Sequence, residues 1–279
     1  MLTKVRITEM NNGTFIDIPI NDNTGTFPFN IKHIEGLDPV PASISTTDRA
    51  SFDGVQFGSA KVGARNIILT VGYVPEHAAL YGVQALRRKM YGYAMPKMDV
   101  EIRLYSDEYP TLSIMGTVES LSAAVFGKDP VITISVLATD PYFKALSSVV
   151  VNGNIGAVMT INYPGDVPTG IYIRLNTSTT LPSLGIERYE TQGFQSLSYD
   201  SPMYTYEYLN ITTVKGAKTV NAENKTTGIR TNKLGFLNPA SDWLELAPGV
   251  NKFRFIRPSG SSGNNSPISF TYLPRYGGF

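Results

Sequence analysis

Residues 99–143 read DVEIRLYSDEYPTLSIMGTVESLSAAVFGKDPVITISVLATDPYF. Val100, Ile102 and Leu104 alternate with Glu101 and Arg103. Leu112, Ile114 and Val118 keep the period of two, as do Ile132, Ile134 and Val136. Successive side chains of a strand point to opposite faces, so this alternation predicts antiparallel strands with one face buried. The same pattern continues upstream. Ile67, Leu69, Val71 and Tyr73 share one face, and Ile16, Ile18 and Ile20 share another opposite Asp17 and Pro19. Pro19 cannot donate to a ladder and places its strand at an edge or a terminus.

One segment departs from this period. Pro75 to Tyr91, PEHAALYGVQALRRKMY, places Leu80, Val83, Leu86 and Met90 at helical spacing. Pro75 and Glu76 suit a first turn, and Arg87, Arg88 and Lys89 suit a last one, with Gly92 as a stop. The spacing predicts a single substantial helix over 75–91, with Gly82 as its weak point.

The length of 279 residues suits about two domains. The strand ending in Asp140-Pro141-Tyr142 is followed by new short strands from Ser148 on. Ile171, Ile173 and Leu175 share a face, as do Phe253 with Phe255, and Ile268, Phe270 and Tyr272. Turn signals at 164–166, 215–216, 248–249 and 258–265 separate them. The expected fold is mainly β: an N-terminal β domain with one helix over 1–145, and a C-terminal β-sandwich over 146–279.

Composition narrows function. There are 24 Lys and Arg against 23 Asp and Glu, a net charge of +1, and only 17% charged residues. No net field draws the chain to nucleic acid or to an anionic membrane. No apolar run is long enough for a membrane-spanning helix, and MLTKVRITEM has no signal-peptide core, so synthesis in a cytoplasm is expected. Cysteine is absent, which removes disulfides, thiolate nucleophiles and cysteine-ligated metals. The two histidines, His33 and His77, sit in no zinc motif, and GxSxG, P-loop and GxGxxG patterns are missing. No cofactor, no metal and no catalytic residue is expected.

Three candidate groups remain. Acidic pairs such as Glu187 with Glu190, or Asp107 with Glu108, would have to face each other across a groove to act as a glycosidase, and their spacing gives no reason to expect it. Tyr204, Tyr206 and Tyr208 alternate in PMYTYEYL and form a candidate glycan or partner contact, since a phenol offers apolar area with a polar tip. The same three rings also suit an ordinary sheet face with cross-strand pairs. Arg87, Arg88 and Tyr91 on the helix are the candidate intersubunit contacts.

Several strings, taken in order, resemble the distal tail protein family of long-tailed bacteriophages. They are Ile34-Glu-Gly-Leu-Asp-Pro39 with Asp53-Gly54 and Ala64-Arg-Asn-Ile-Ile-Leu69; the helix 75–91 before the strand 99–105; Gly116-Thr-Val-Glu-Ser120 with Asp140-Pro141-Tyr142-Phe143; and Asn162-Tyr-Pro-Gly-Asp-Val-Pro-Thr169 before the 171–175 strand. The stretch 176–235 lies outside these strings. The resemblance implies a virion structural protein at the distal end of the tail. Its first domain would close a homo-oligomeric ring, usually a hexamer, between the tail tube protein and the hub or tip protein. Its second domain would be a galectin-like sandwich on which a tail fibre or receptor-binding protein docks. The alternative from another class is a carbohydrate-binding, host-adsorption protein that uses the sandwich.

Overall fold

The computed structural model describes residues 1–20, 26–49, 53–124, 130–189, 194–256 and 265–279. The chain is almost entirely antiparallel β and divides into two compact units, Met1–Leu146 with Tyr276–Phe279, and Ser147–Arg275.

In the first unit, β1 (Leu2–Glu9), β2 (Phe15–Pro19), β3 (Phe29–Glu35), β4 (Ala42–Asp48), β5 (Val55–Val62) and β6 (Arg65–Tyr73) precede two helices, α1 (Pro75–Tyr81) and α2 (Val83–Ala94). Then come β7 (Asp99–Ser106), β8 (Leu112–Ala123), β9 (Val131–Ala138) and β10 (Phe143–Ala145). The main sheet runs β2-β1-β7-β8-β9-β6-β3, and a parallel bridge between Ile20 and Ile31 brings its two ends together. The period of two sorts the side chains as read. Val5, Ile7, Ile67, Leu69, Val100, Ile102, Leu104, Ile132 and Ile134 are all buried in one core. Pro19 ends the edge strand β2, where its missing N–H costs no ladder bond.

The helical segment differs from the expected single helix. It breaks at Gly82, whose backbone lies at φ 76° and ψ 141°, and the second helix runs through Gly92 to Ala94. Helical spacing carries no mark of a left-handed residue, and Gly occupies that conformation without the Cβ penalty. α2 buries Leu86, Met90 and Ala94 at successive i, i+4 positions against the core, whereas Leu80 on α1 is 72% exposed. Arg87, Arg88 and Lys89 therefore lie in the middle of α2, not in its last turn.

The second unit contains β11 (Val149–Asn154), β12 (Met159–Tyr163), β13 (Thr169–Gly170), β14 (Tyr172–Asn176), β15 (Leu184–Tyr189), β16 (Gln195–Tyr199), β17 (Glu207–Thr212), β18 (Thr219–Asn224), β19 (Arg230–Asn232), β20 (Glu245–Leu246), β21 (Gly249–Ile256) and β22 (Pro267–Tyr272). A six-stranded sheet, β11-β22-β14-β17-β18-β19, faces a four-stranded sheet, β12-β21-β15-β16. The layers meet through Ile161, Ile173, Leu175, Ile186, Leu197, Leu209 and Ile211. Phe253 of β21 and Phe270 of β22 pack edge to face at 4.9 Å. Most of the 258–265 turn lies outside the described residues.

The last four residues, 276–279, belong to the first unit, where Tyr276 and Phe279 pack on its core; a short strand β23 (Arg275–Tyr276) pairs with β10. The sequence gives no sign of this return, because its cause is a single distant arginine described next.

Candidate assembly site

Two strands of the first unit belong to no core. β4 and β5 pair only with each other, and every residue of both is exposed. An isolated two-stranded hairpin is marginal in water, so its conformation needs support from elsewhere. Its register explains its surface. Ala42 pairs with Val62, Ile44 with Ala60, Thr46 with Phe57 and Asp48 with Val55. Between Ser45↔Ser59 and Thr46↔Phe57 the register shifts, leaving Gly58 as the extra residue of a β-bulge. The bulge moves Phe57 and Val55 onto the side of Ala60 and Val62. One face of the hairpin then gathers the large apolar side chains, with Ile44 60%, Val55 52%, Phe57 63% and Val62 38% exposed, beside Ala42, Ala60, Thr46 and Asp48. The other carries Ser43, Ser45, Thr47, Gln56, Ser59 and Lys61. The result is an amphipathic ribbon whose large apolar side chains do not pack on the core of their unit.

Both roots of the ribbon meet at Arg65. This side chain is 1% exposed, and its guanidinium donates to Pro141 O at 2.6 Å, Gly36 O at 2.5 Å and Asp38 O at 2.8 Å, and to Gly277 O. The cation lies 4.6 Å from the Phe143 ring centre. Burial lowers the Arg65 pKa, an effect partly opposed by the charge of Asp38. A rigid planar fork can satisfy several carbonyls at once, which a lysine ammonium on its flexible stem cannot reproduce. The carbonyls come from three separate segments, 36–38, 141 and 277. The backbone N–H of Phe279 donates to Leu37 O at 3.0 Å on the same loop. A Cβ on Gly36, which sits at φ +84°, would lie 2.1 Å from Asn66 O, so the close approach requires glycine there. The strings around 34–39, 64–69 and 140–143 thus converge on one buried cation.

The remaining candidates are placed apart. Tyr204 and Tyr206 are in a turn, not on a strand; their rings stack at 5.3 Å with 9° between planes, and they are 40% and 52% exposed. Tyr208 alone is on β17, half-buried, with the Arg174 guanidinium 3.9 Å and the Lys225 ammonium 5.1 Å from its ring centre. The three rings therefore do not form one strand face; the alternation Tyr-Thr-Tyr is the same in a turn as in a strand. Arg87, Arg88 and Tyr91 lie on α2, with Arg87 5.5 Å from the Tyr91 ring and its Nε buried without a hydrogen-bond partner among the described residues. His33 lies 3.6 Å from Glu35 on the surface, and the His77 and Tyr81 rings stack at 6.0 Å.

Two of the acidic candidates, Glu108 and Glu187, are engaged in ion pairs. Glu108 meets the N-terminal ammonium at 3.1 Å, and Glu187 pairs with Arg254 across β15 and β21. Glu190 lies outside the described residues. Among the described residues no three His, Asp or Glu side chains are close enough to hold a metal ion, and no helix is long and apolar enough to cross a membrane.

No family model and no curated protein matches the sequence. Among solved structures, the SPP1 Dit (gp 19.1) protein, described as a paradigm of hub adsorption apparatus in Gram-positive infecting phages, matches with a TM-score of 0.67 at 14% identity. The match covers 97% of this chain and 98% of that one. A chain of the phage P2 baseplate in its activated conformation with Ca matches over 98% of both chains, with a TM-score of 0.44 at 8% identity. The chain has the fold of the SPP1 hub adsorption protein along nearly its whole length.

Proposed function

We propose that this chain is a structural component of a phage tail tip, which joins copies of itself into a ring between the tail tube and the hub, and transforms no substrate. The observation that carries this reading is the β4–β5 ribbon: an apolar face held out from its own core, on a chain with the fold of a hub adsorption protein. Contiguous exposed apolar surface on a folded protein marks an interaction site. A closed ring is built from heterologous contacts, in which a feature of one subunit meets a different surface of the next. A projecting ribbon with one apolar face suits such a contact, and α2 with Arg87, Arg88 and Tyr91 is a candidate surface to receive it. The second unit is a candidate docking surface for a fibre or receptor-binding protein.

The test is sedimentation velocity of the full chain, alone and mixed with the tail tube and hub proteins of its own virion. The expected result is a closed species of about six copies of the 30.5 kDa chain, alone or on its partners. A chain that stays monomeric at every concentration and binds neither partner would overturn the reading.

A further inference from the structure

The outward face of the six-stranded sheet carries an arrangement that the assembly role does not use. Asn152, Ser269, Arg174, Asn210, Asn221 and Asn232 stand directly opposite one another, one from each strand from β11 to β19. The next row along the strands contributes Asn176, Tyr208 and Glu223. Together they make a face of amides, hydroxyls, the Arg174 guanidinium and the Glu223 carboxylate across the whole sheet.

Half of this face is tied down and half is open. Glu223, 14% exposed, accepts from Arg174 at 3.2 Å, from Asn210 at 3.2 Å and from Arg230 at 2.9 Å, and Asn210 accepts from the Tyr172 hydroxyl at 2.6 Å. Arg174 is thereby fixed between Glu223 and the Tyr208 ring. Toward β11 the polar groups change character. The side chains of Asn152, Asn176 and Ser269 make no hydrogen bond among the described residues, and Arg174 uses one of its five N–H donors there. These four residues, with Gly153, Tyr208, Pro267 and Ile268, line a groove of about 280 Å³. The turn bearing the stacked Tyr204 and Tyr206 is tied beside it, where Thr177 Oγ1, next to Asn176, donates to Tyr204 O at 2.8 Å.

We propose that this groove binds a neutral saccharide. Planar amides and a fixed guanidinium offer donors and acceptors side by side, which is what adjacent sugar hydroxyls require. Pro267, exposed on the same face as Ser269, offers apolar area to the C–H face of a pyranose, and ligand sites combine an apolar lining with a few placed polar groups in this way. The volume suits one or two sugar residues. Arg174 is already paired with the Glu223 carboxylate and so stands in the groove as a placed hydrogen-bond donor. The site is independent of ring closure.

The experiment is saturation-transfer NMR on the full-length chain with methyl α-D-glucopyranoside, methyl β-D-galactopyranoside and N-acetylglucosamine, with glycerol as the polyol control. Transfer to at least one sugar above the glycerol level is expected. Arg174→Ala and Asn152→Ala are each expected to weaken that sugar's binding at least tenfold. Asn152 is an exposed position on the edge strand, so Asn152→Ala decides the matter should Arg174→Ala fail to fold. Transfer no greater than to glycerol for all three sugars overturns the proposal. So does transfer that survives Asn152→Ala and is lost on Tyr206→Ala, which moves the site to the turn.

Discussion

Removing the apolar face of the ribbon should abolish assembly and leave the fold intact. Phe57 is 63% exposed, and a whole phenylalanine side chain offers roughly 200 Å², so a partner covering it removes roughly 125 Å² from water. At about 25 cal/mol per Å² this is about 3 kcal/mol per contact, or on the order of a hundredfold in association. Phe57→Ser should weaken self-association by up to that factor in sedimentation velocity. The same change should leave thermal unfolding within about 2 °C of the parent, because a side chain that touches no core contributes about 0.5 kcal/mol or less to folding. Deleting Gly58 is the complementary perturbation. It removes the bulge but leaves Phe57 opposite Thr46 and Val55 opposite Asp48, still on the side of Ala60 and Val62. The deletion should therefore keep association near the parental level while Phe57→Ser loses it. The reasoning is refuted if Phe57→Ser assembles like the parent, or if it lowers the melting temperature substantially while assembly persists.

Three further outcomes follow from the geometry. The Arg6 guanidinium, at 2.7 Å, and then the Lys4 ammonium, at 3.2 Å, hold the Asp17 carboxyl below its ordinary pKa despite partial burial. A lowered carboxylate pKa contributes stability above its unfolded value of about 3.9, and that contribution is lost as pH falls through the folded value. Asp17→Asn should therefore melt below the parent at pH 6, with the gap closing below about pH 4; a gap constant over that range would count against the pairing. Gly82→Ala meets no steric obstacle but places a Cβ at φ +76°, so it should destabilise the first unit by roughly 1–3 kcal/mol in calorimetry. Gly170→Ala should destabilise the sandwich, since its Cβ would lie 2.5 Å from the Val214 backbone; unchanged melting would show that β13 can shift to make room.

Where one face of a strand is buried, its sequence states the fact. Val100, Ile102, Leu104, Ile132, Ile134 and Val136 are legible because the core selects an apolar residue at every second position. The β4–β5 ribbon escapes the same reading. Its apolar face has no core to impose the pattern, and Gly58 breaks the phase, so Val55 and Phe57 fall out of step with Ala60 and Val62 in the sequence. Gly82 is similar: Leu80 and Val83 keep helical spacing across a residue that is not helical, and dihedral sign leaves no trace in spacing. The polar row from Asn152 to Asn232 is invisible for another reason. It exists only once six strands are in register, and each strand contributes one unremarkable residue to it.

Arg65 connects the buried part of the first unit with the exposed part. Among the described residues it has no carboxylate partner at hydrogen-bond distance and donates to four backbone carbonyls instead, so the bonds constrain the course of the chain. Asp38 O lies four residues before β4 begins, and Arg65 itself stands three residues after β5 ends. The two roots of the ribbon are therefore fixed to each other, to the Pro141 turn and to the C-terminal residues through one guanidinium. A ribbon with no packing of its own can present its apolar face in a constant direction only if its base is rigid. Arg65→Lys tests this: it keeps the charge and loses the fork. Leaving two or three buried carbonyls without donors should cost roughly 3–5 kcal/mol, or on the order of 10 °C in melting temperature. Measured well below that temperature, where the unit is still folded, the variant should also associate more weakly than the parent although Ile44, Val55, Phe57 and Val62 are unchanged. A variant that melts lower yet associates with undiminished affinity would show that the clasp serves stability alone, and that the ribbon is directed by something other than its base.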